Sequence, residues 1–297
     1  MDANDLSNRF TLDGLTIEAG RGGLTRLKLE TDLCSSEIYL QGAHLTHFQP
    51  RGNAPVLWMS ESSFYEKGKP IRGGVPICFP WFGPHANDAQ SPSHGWARLT
   101  PWNLLQCQMG SKGEVILTLG CSLAGFQVKY SLTLSTILRM AMTVELDANA
   151  SNGQAFESAL HTYLRIEDIH RVSVEGLEGT AYLDKVGTSA QRPASQFPIR
   201  FQGETDRVYG DTEATCFLND PGMNRRIRVS KTGSRSTVIW NPWIDKSRRM
   251  QDFDDQEWQT MVCIETANIG SNAISLEPGE MHTMTADLEV LPSADAR

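Results

Sequence analysis

The chain has 297 residues, 40% of them hydrophobic and 21% charged, which is enough to bury a sizeable core within a single domain over 1–297. A formal charge of −8 argues against a general nucleic-acid or anionic-membrane surface, because phosphate backbones are gripped by clustered Lys and Arg. The six cysteines form no CxxC pair, the opening MDANDLSNRF is polar, and no apolar run reaches membrane-spanning length, so a reducing cytoplasm is the expected compartment.

In chain order, short strand candidates fall at 10–19, 24–31 and 36–48. His44 and His47 lie three apart on the last of these and face opposite sides, so they read as structural histidines rather than a shared metal site. The run KPIRGGVPICFPWFGPH at 69–85 is too broken by Pro76, Pro80 and Pro84 for a helix and reads as a shaped loop. A strand at 114–123 follows. From Phe126 to Leu146 every even position is apolar except Thr136, which predicts two half-buried strands with a bend between them.

Further candidates lie at 157–166, 171–176, 215–219, 225–231, 236–241, 260–267 and 283–291, with Gly, Pro, Asn or Asp near most ends. The stretch 184–200 reads as a surface loop, and the acidic run QDFDDQEWQ at 251–259 as a solvated one. No amphipathic helix longer than about ten residues is predicted, and strands do not alternate with helices. An all-β, mostly antiparallel sandwich is the expected fold.

Three segments combine ionisable side chains with constrained backbone: SHGWAR at 93–98, ALHTYLRIED at 159–168 and VCIETAN at 262–268. Leu160, Thr162, Leu164 and Ile166 alternate with His161, Tyr163 and Arg165, which turns His161 away from the main apolar layer, and Glu265 points away from Val262 and Ile264, so each is expected mid-strand on a polar sheet face. An imidazole and a carboxyl group, with ordinary pKa values of about 6.5 and 4.3, can work as acid and base near neutrality. Ordinary surface placement is the alternative for each, and spacing alone does not bring them together. Cys78 and Cys263 read as inert packing thiols, and Trp240 and Trp243, which bracket NP, either wall a site or simply pack.

IRGGVPICFPWFG, SPSHGWAR, ALHTYL, TDRVY, WNP and VCIETA occur in this order within residues 36–270. Together they resemble the hexose-6-phosphate mutarotase (glucose-6-phosphate 1-epimerase) branch of the aldose 1-epimerase superfamily. The resemblance implies a galactose-mutarotase-like β-supersandwich with a sugar site in its concave face. It implies that His161 of LHTY is the general acid and Glu265 of ETA the general base. It places His94 and Asp206 at the sugar, and Arg72 and Arg98 at the phosphate. Ser93 stands where some relatives carry glutamine, and it reaches less far toward a substrate hydroxyl.

The implied reaction interconverts the anomers of a hexose 6-phosphate by ring opening and needs no cofactor and no metal. One charged hydrogen bond from each of Arg72 and Arg98 would favour a phosphorylated sugar by about 3–6 kcal/mol before desolvation. The loop aromatics Phe79, Trp81 and Phe82 are expected to stiffen the backbone that aims Arg72, with Gly73 and Gly74 allowing a tight turn or close approach to the ligand. A monomer is expected, with a dimer as the alternative. Rival readings are an aldose 1-epimerase of neutral hexoses, a non-catalytic carbohydrate-binding protein, and a metal hydrolase with His94, His161 and Glu265 as ligands.

Overall fold

The computed structural model describes residues 3–194 and 197–293. Two sheets of eight strands dominate, and every ladder between their strands is antiparallel. A four-stranded sheet from Leu15–Ala19 to His44–Pro50 and a two-stranded ladder complete the set. The α-helices of the described residues are short, Ala3–Arg9 and Trp243–Ser247. No helix among these residues is long and apolar enough to cross a membrane.

The alternation at 126–146 becomes the strands Phe126–Leu134 and Ile137–Leu146, paired from Phe126↔Leu146 to Leu134↔Leu138. Their even-numbered side chains, such as Tyr130, Leu132, Met140 and Met142, are buried, while Gln127 and Lys129 point to solvent. Period-two patterning thus decides which face meets the core. In the second large sheet Leu160, Ile239 and Ile264 turn into the same hydrophobic cluster as Leu132, Met140 and Leu288 of the first. The opposite face of that second sheet carries the site.

Several expected elements change. The segment 36–48 is two strands, Cys34–Tyr39 and His44–Pro50, because Gly42 and Ala43 take positive φ and turn the chain between them. The segment 157–166 divides into Ser158–Leu160 and Tyr163–Arg165. Strands at Asn103–Met109, Tyr182–Asp184, Ala190–Arg192 and Thr205–Tyr209 were not among the expected ones. Asn103–Met109 lies at a sheet edge with mostly exposed side chains and a register shift, so no alternation marks it. Most of the 184–200 stretch lies within or beside the short hairpin Tyr182–Asp184 and Ala190–Arg192, and its residues 195–196 lie outside the described residues.

Candidate active site

The strand Met261–Asn268 organises the site. It pairs with Ser158–Leu160 through Leu160↔Thr266 and with Tyr163–Arg165 through Tyr163↔Cys263. The register is the same on both sides of the break, so His161 falls opposite Glu265 although it belongs to neither short strand. Residues opposite one another in an antiparallel pair share a face. Nε2 of His161 accordingly lies 3.4 Å from Oε1 of Glu265. The imidazole is therefore at an interruption rather than mid-strand, and both groups are buried, at 6% and 1% exposure, rather than on a solvated face.

The same geometry gathers the other motifs. On the far side of 158–165, the His161 N–H donates to the Pro76 carbonyl at 3.0 Å and the Tyr163 N–H to the Gly74 carbonyl at 2.9 Å, which lays the IRGGVP segment beside LHTY. On the far side of Met261–Asn268, Val238 pairs with Glu265 and Trp240 with Cys263, and Asp206 pairs in turn with Trp240. One row of the face thus reads Asp206, Trp240, Cys263, Tyr163, and the next carries Val238, Glu265 and His161. The Tyr163 ring stacks on His161 with centroids 4.7 Å apart and planes 10° from parallel.

Asp206, Val238, Trp240, Glu265 and His161 line a cavity of about 330 Å³ together with Arg72, Ser93, His94, Arg98, Lys185 and Lys246, while Cys263 and Tyr163 lie buried behind that lining. Each expected catalytic and substrate-binding residue lies there, and so does Trp240, whereas Trp243 packs on His170 and Trp258 instead. Lys185 and Lys246 were not singled out. Their motifs show nothing but a lysine; what brings them is the pairing of Tyr182–Asp184 with Thr205–Tyr209 and the short helix after Trp240-Asn241-Pro242.

His94 sits at φ 65, and its Nδ1 accepts a hydrogen bond from the Gly83 N–H at 3.2 Å. A ring that accepts at Nδ1 is neutral and carries its proton on Nε2, so it is a donor. Burial first, and then the charges of Arg98 and Lys185, hold His94 well below the usual histidine range. Phe82 packs edge-on against this ring, and the Phe82 N–H is fixed by Oε2 of Glu157 at 2.8 Å. Trp81 packs on His85 and Trp96, and Phe79 on Phe126 and Phe156. The aromatics therefore brace the loop around His94 and the core beneath it, not Arg72.

Gly73 and Gly74 also act differently from expectation. A Cβ on Gly73 would stand 2.5 Å from the Trp58 carbonyl oxygen and one on Gly74 2.2 Å from that of Leu45, so the close approach is to neighbouring strands rather than to a ligand. His44 holds this turn by a 2.8 Å hydrogen bond to the Gly73 carbonyl, and His47 meets the Ser35 hydroxyl at 3.0 Å, so the two histidines serve separate contacts.

The two arginines differ. Arg72 donates to Asp252 through Nε and NH2, both at 3.2 Å, and to the Tyr163 hydroxyl at 2.9 Å. Asp252 is 7% exposed, so part of the acidic run expected in solvent is a buried counter-ion. Arg98 is equally enclosed, at 9% exposure, and makes one hydrogen bond, from NH2 to the Ser93 carbonyl at 2.6 Å. Its Nε has no partner, and no carboxylate is paired with it among the described residues. Ser93 thus contributes its backbone oxygen to Arg98 as well as lining the cavity.

Burial, then the Asp206 charge, pushes the Glu265 carboxyl well above the usual carboxylate range, while Lys185 opposes the shift. Burial, then His94, Arg72 and Arg98, pushes His161 well below the usual imidazole range. Both shifts favour the neutral forms, a carboxylic acid beside a neutral imidazole, so the transferable proton is favoured on the carboxyl. Burial also raises Asp206, partly offset by Lys185 and by Lys246, whose Nζ lies 3.7 Å from Asp206 and 3.0 Å from Glu204.

A mostly antiparallel β-sandwich with a buried imidazole and carboxyl group in a cation-lined cavity places the chain in the mutarotase-like class of isomerases. The chain belongs to the aldose 1-epimerase family, whose model matches residues 25–289. It is 38% identical over 231 residues to an Escherichia coli protein named "Putative glucose-6-phosphate 1-epimerase", covering 77% of this chain and 78% of that one. A Cenchrus ciliaris protein of the same name is 32% identical over 276 residues, covering 88% and 83%. A Salmonella typhimurium crystal structure described as a "putative mutarotase" superposes with a TM-score of 0.87 at 29% identity, over 95% of each chain.

Proposed function

We propose that this protein interconverts the α and β anomers of glucose 6-phosphate and related aldohexose 6-phosphates. The observation that carries the reading is the His161–Glu265 pair, 3.4 Å apart in a cavity that also holds an uncompensated guanidinium, Arg98. Glu265 takes the proton from the anomeric hydroxyl while His161 protonates the ring oxygen. The C1–O5 bond opens, the aldehyde rotates, and reversal of both transfers closes the ring from the other face. Each positioned proton transfer contributes typically about 10²–10⁴-fold.

These roles need the pair's single proton on His161, whereas the resting site favours it on Glu265. The Arg72 and Arg98 charges help hold His161 down. A phosphate carrying roughly −1.5 to −2 charges at pH 7 offsets them, so substrate binding moves the imidazole toward the protonated form that the acid role requires. Arg98 is the principal phosphate ligand, because Arg72 is already committed to Asp252; Lys185 and Lys246 add positive charge at the rim. His94 donates from Nε2 to a sugar oxygen, and Asp206 and Ser93 complete the polar lining.

Exchange NMR on both sugars tests the reading. Faster anomer exchange of glucose 6-phosphate than of glucose is expected; equal acceleration of both would turn the assignment to a neutral-hexose epimerase. Sugar affinity without acceleration of either would make the protein a carbohydrate-binding one.

A further inference from the structure

A metal reading built on residue type would join His94 to His161 and Glu265, but the sheet register brings another group to the pair. Cys263 lies two residues before Glu265 on the same strand face and opposite Tyr163, which stacks on His161. His161, Cys263 and Glu265 each offer one ligand atom, and these atoms lie within 4.8 Å of one another. The 3.4 Å between Nε2 and Oε1 matches the edge of a tetrahedron about Zn²⁺, since metal–ligand distances of about 2.0–2.1 Å give an edge of roughly 3.4 Å. Among the described residues Nδ1 of His161 has no hydrogen-bond partner outside its own residue, Oε2 of Glu265 has none, and both atoms are buried.

We propose that this site binds one thiophilic divalent cation, Zn²⁺ or Cd²⁺, through Cys263 Sγ, His161 and Glu265, and that the bound cation excludes the sugar. A borderline-soft cation takes this mixed sulfur, nitrogen and oxygen set, while Mg²⁺ and Ca²⁺ take oxygen ligands. Two of the three ligands, His161 and Glu265, line the cavity, so a fourth ligand would be drawn from water there. Binding changes no oxidation state. The thiol proton of Cys263 and the carboxyl proton of Glu265 leave to solvent as the metal bonds form, so affinity rises with pH. The metal site stands on geometry alone; only the loss of activity rests on the acid/base reading above.

Titration of the full chain with Co²⁺, followed by displacement with Zn²⁺, tests it. One Co²⁺ per chain is expected, with a thiolate-to-cobalt charge-transfer band and the intense visible bands of a tetrahedral site, both erased by Zn²⁺. Cys263→Ser removes the thiolate band and weakens Zn²⁺ at least tenfold by equilibrium dialysis; Glu265→Gln weakens Zn²⁺ as well, and excess glucose 6-phosphate competes with it. Absence of the thiolate band in the unaltered protein, or wild-type Zn²⁺ affinity in either variant, would overturn the metal site; no competition by the sugar phosphate would overturn the exclusion of the sugar while leaving the metal site standing. Stoichiometric cobalt with the thiolate band but undiminished anomer exchange would uphold the metal site and overturn the inhibition, and with it the roles given to His161 and Glu265.

Discussion

Arg98 offers a test in which function and stability move in opposite directions. Replacing it by methionine keeps a side chain of similar reach in the pocket but removes the charge. One charge-assisted hydrogen bond to phosphate is worth about 1.5–3 kcal/mol, which corresponds to roughly 10- to 150-fold in kcat/KM for glucose 6-phosphate. A neutral hexose makes no such bond, so its kcat/KM stays within about twofold and the selectivity ratio collapses. In the unliganded protein the guanidinium is buried with one carbonyl acceptor and no paired carboxylate among the described residues. Replacing a buried ion pair by apolar bulk is often neutral or stabilising by about 1–4 kcal/mol, and a buried guanidinium without a paired carboxylate bears the desolvation penalty with less to offset it. Arg98→Met should therefore raise the unliganded Tm by several degrees, at about 2–4 °C per kcal/mol. It should also abolish most of the Tm increase that inorganic phosphate gives the unaltered protein. Calorimetry with and without phosphate, beside exchange NMR on both sugars, measures all of this. An unchanged selectivity ratio, or a lowered Tm with phosphate stabilisation intact, would refute the assignment.

Arg72→Ala should act in the opposite sense on stability, because it leaves Asp252 buried without its partner; a loss of about 3–5 kcal/mol by urea unfolding is expected. Glu265→Gln and His161→Ala should each lower anomer exchange by about 10²–10⁴-fold while leaving the circular dichroism spectrum unchanged, and near-normal turnover by either would end the acid/base roles. Inorganic phosphate should shift the titration of His161 upward, followed by NMR of the labelled imidazole; no shift in Arg98→Met would tie the effect to that guanidinium. His44 has its pKa lowered to about 4 by burial, so the unfolded state binds the extra proton between that value and about 6.5. Stability should therefore fall by about 3 kcal/mol as pH drops through this window, and urea unfolding of His44→Gln should show a flatter acid limb.

The hairpin at 126–146 was legible in the sequence because a sheet with one buried face writes its period into the chain, and both strands of the hairpin keep one phase. The site motifs were legible as an ordered set through their resemblance to the aldose 1-epimerase superfamily, whereas alternation spoke only to His161 and Glu265 and did not show that both are buried. Asn103–Met109 left no such trace because an exposed edge strand imposes no alternation. What tertiary structure decided was which groups meet and at what charge. Leu160↔Thr266 and Tyr163↔Cys263 keep one register across a break, and this sets His161 against Glu265. Folding likewise gave Arg72 a counter-ion and Arg98 none among the described residues, a difference that neither IRGG nor HGWAR shows. Periodicity is a property of neighbours along the chain, whereas pairing register and burial depend on segments about a hundred residues apart.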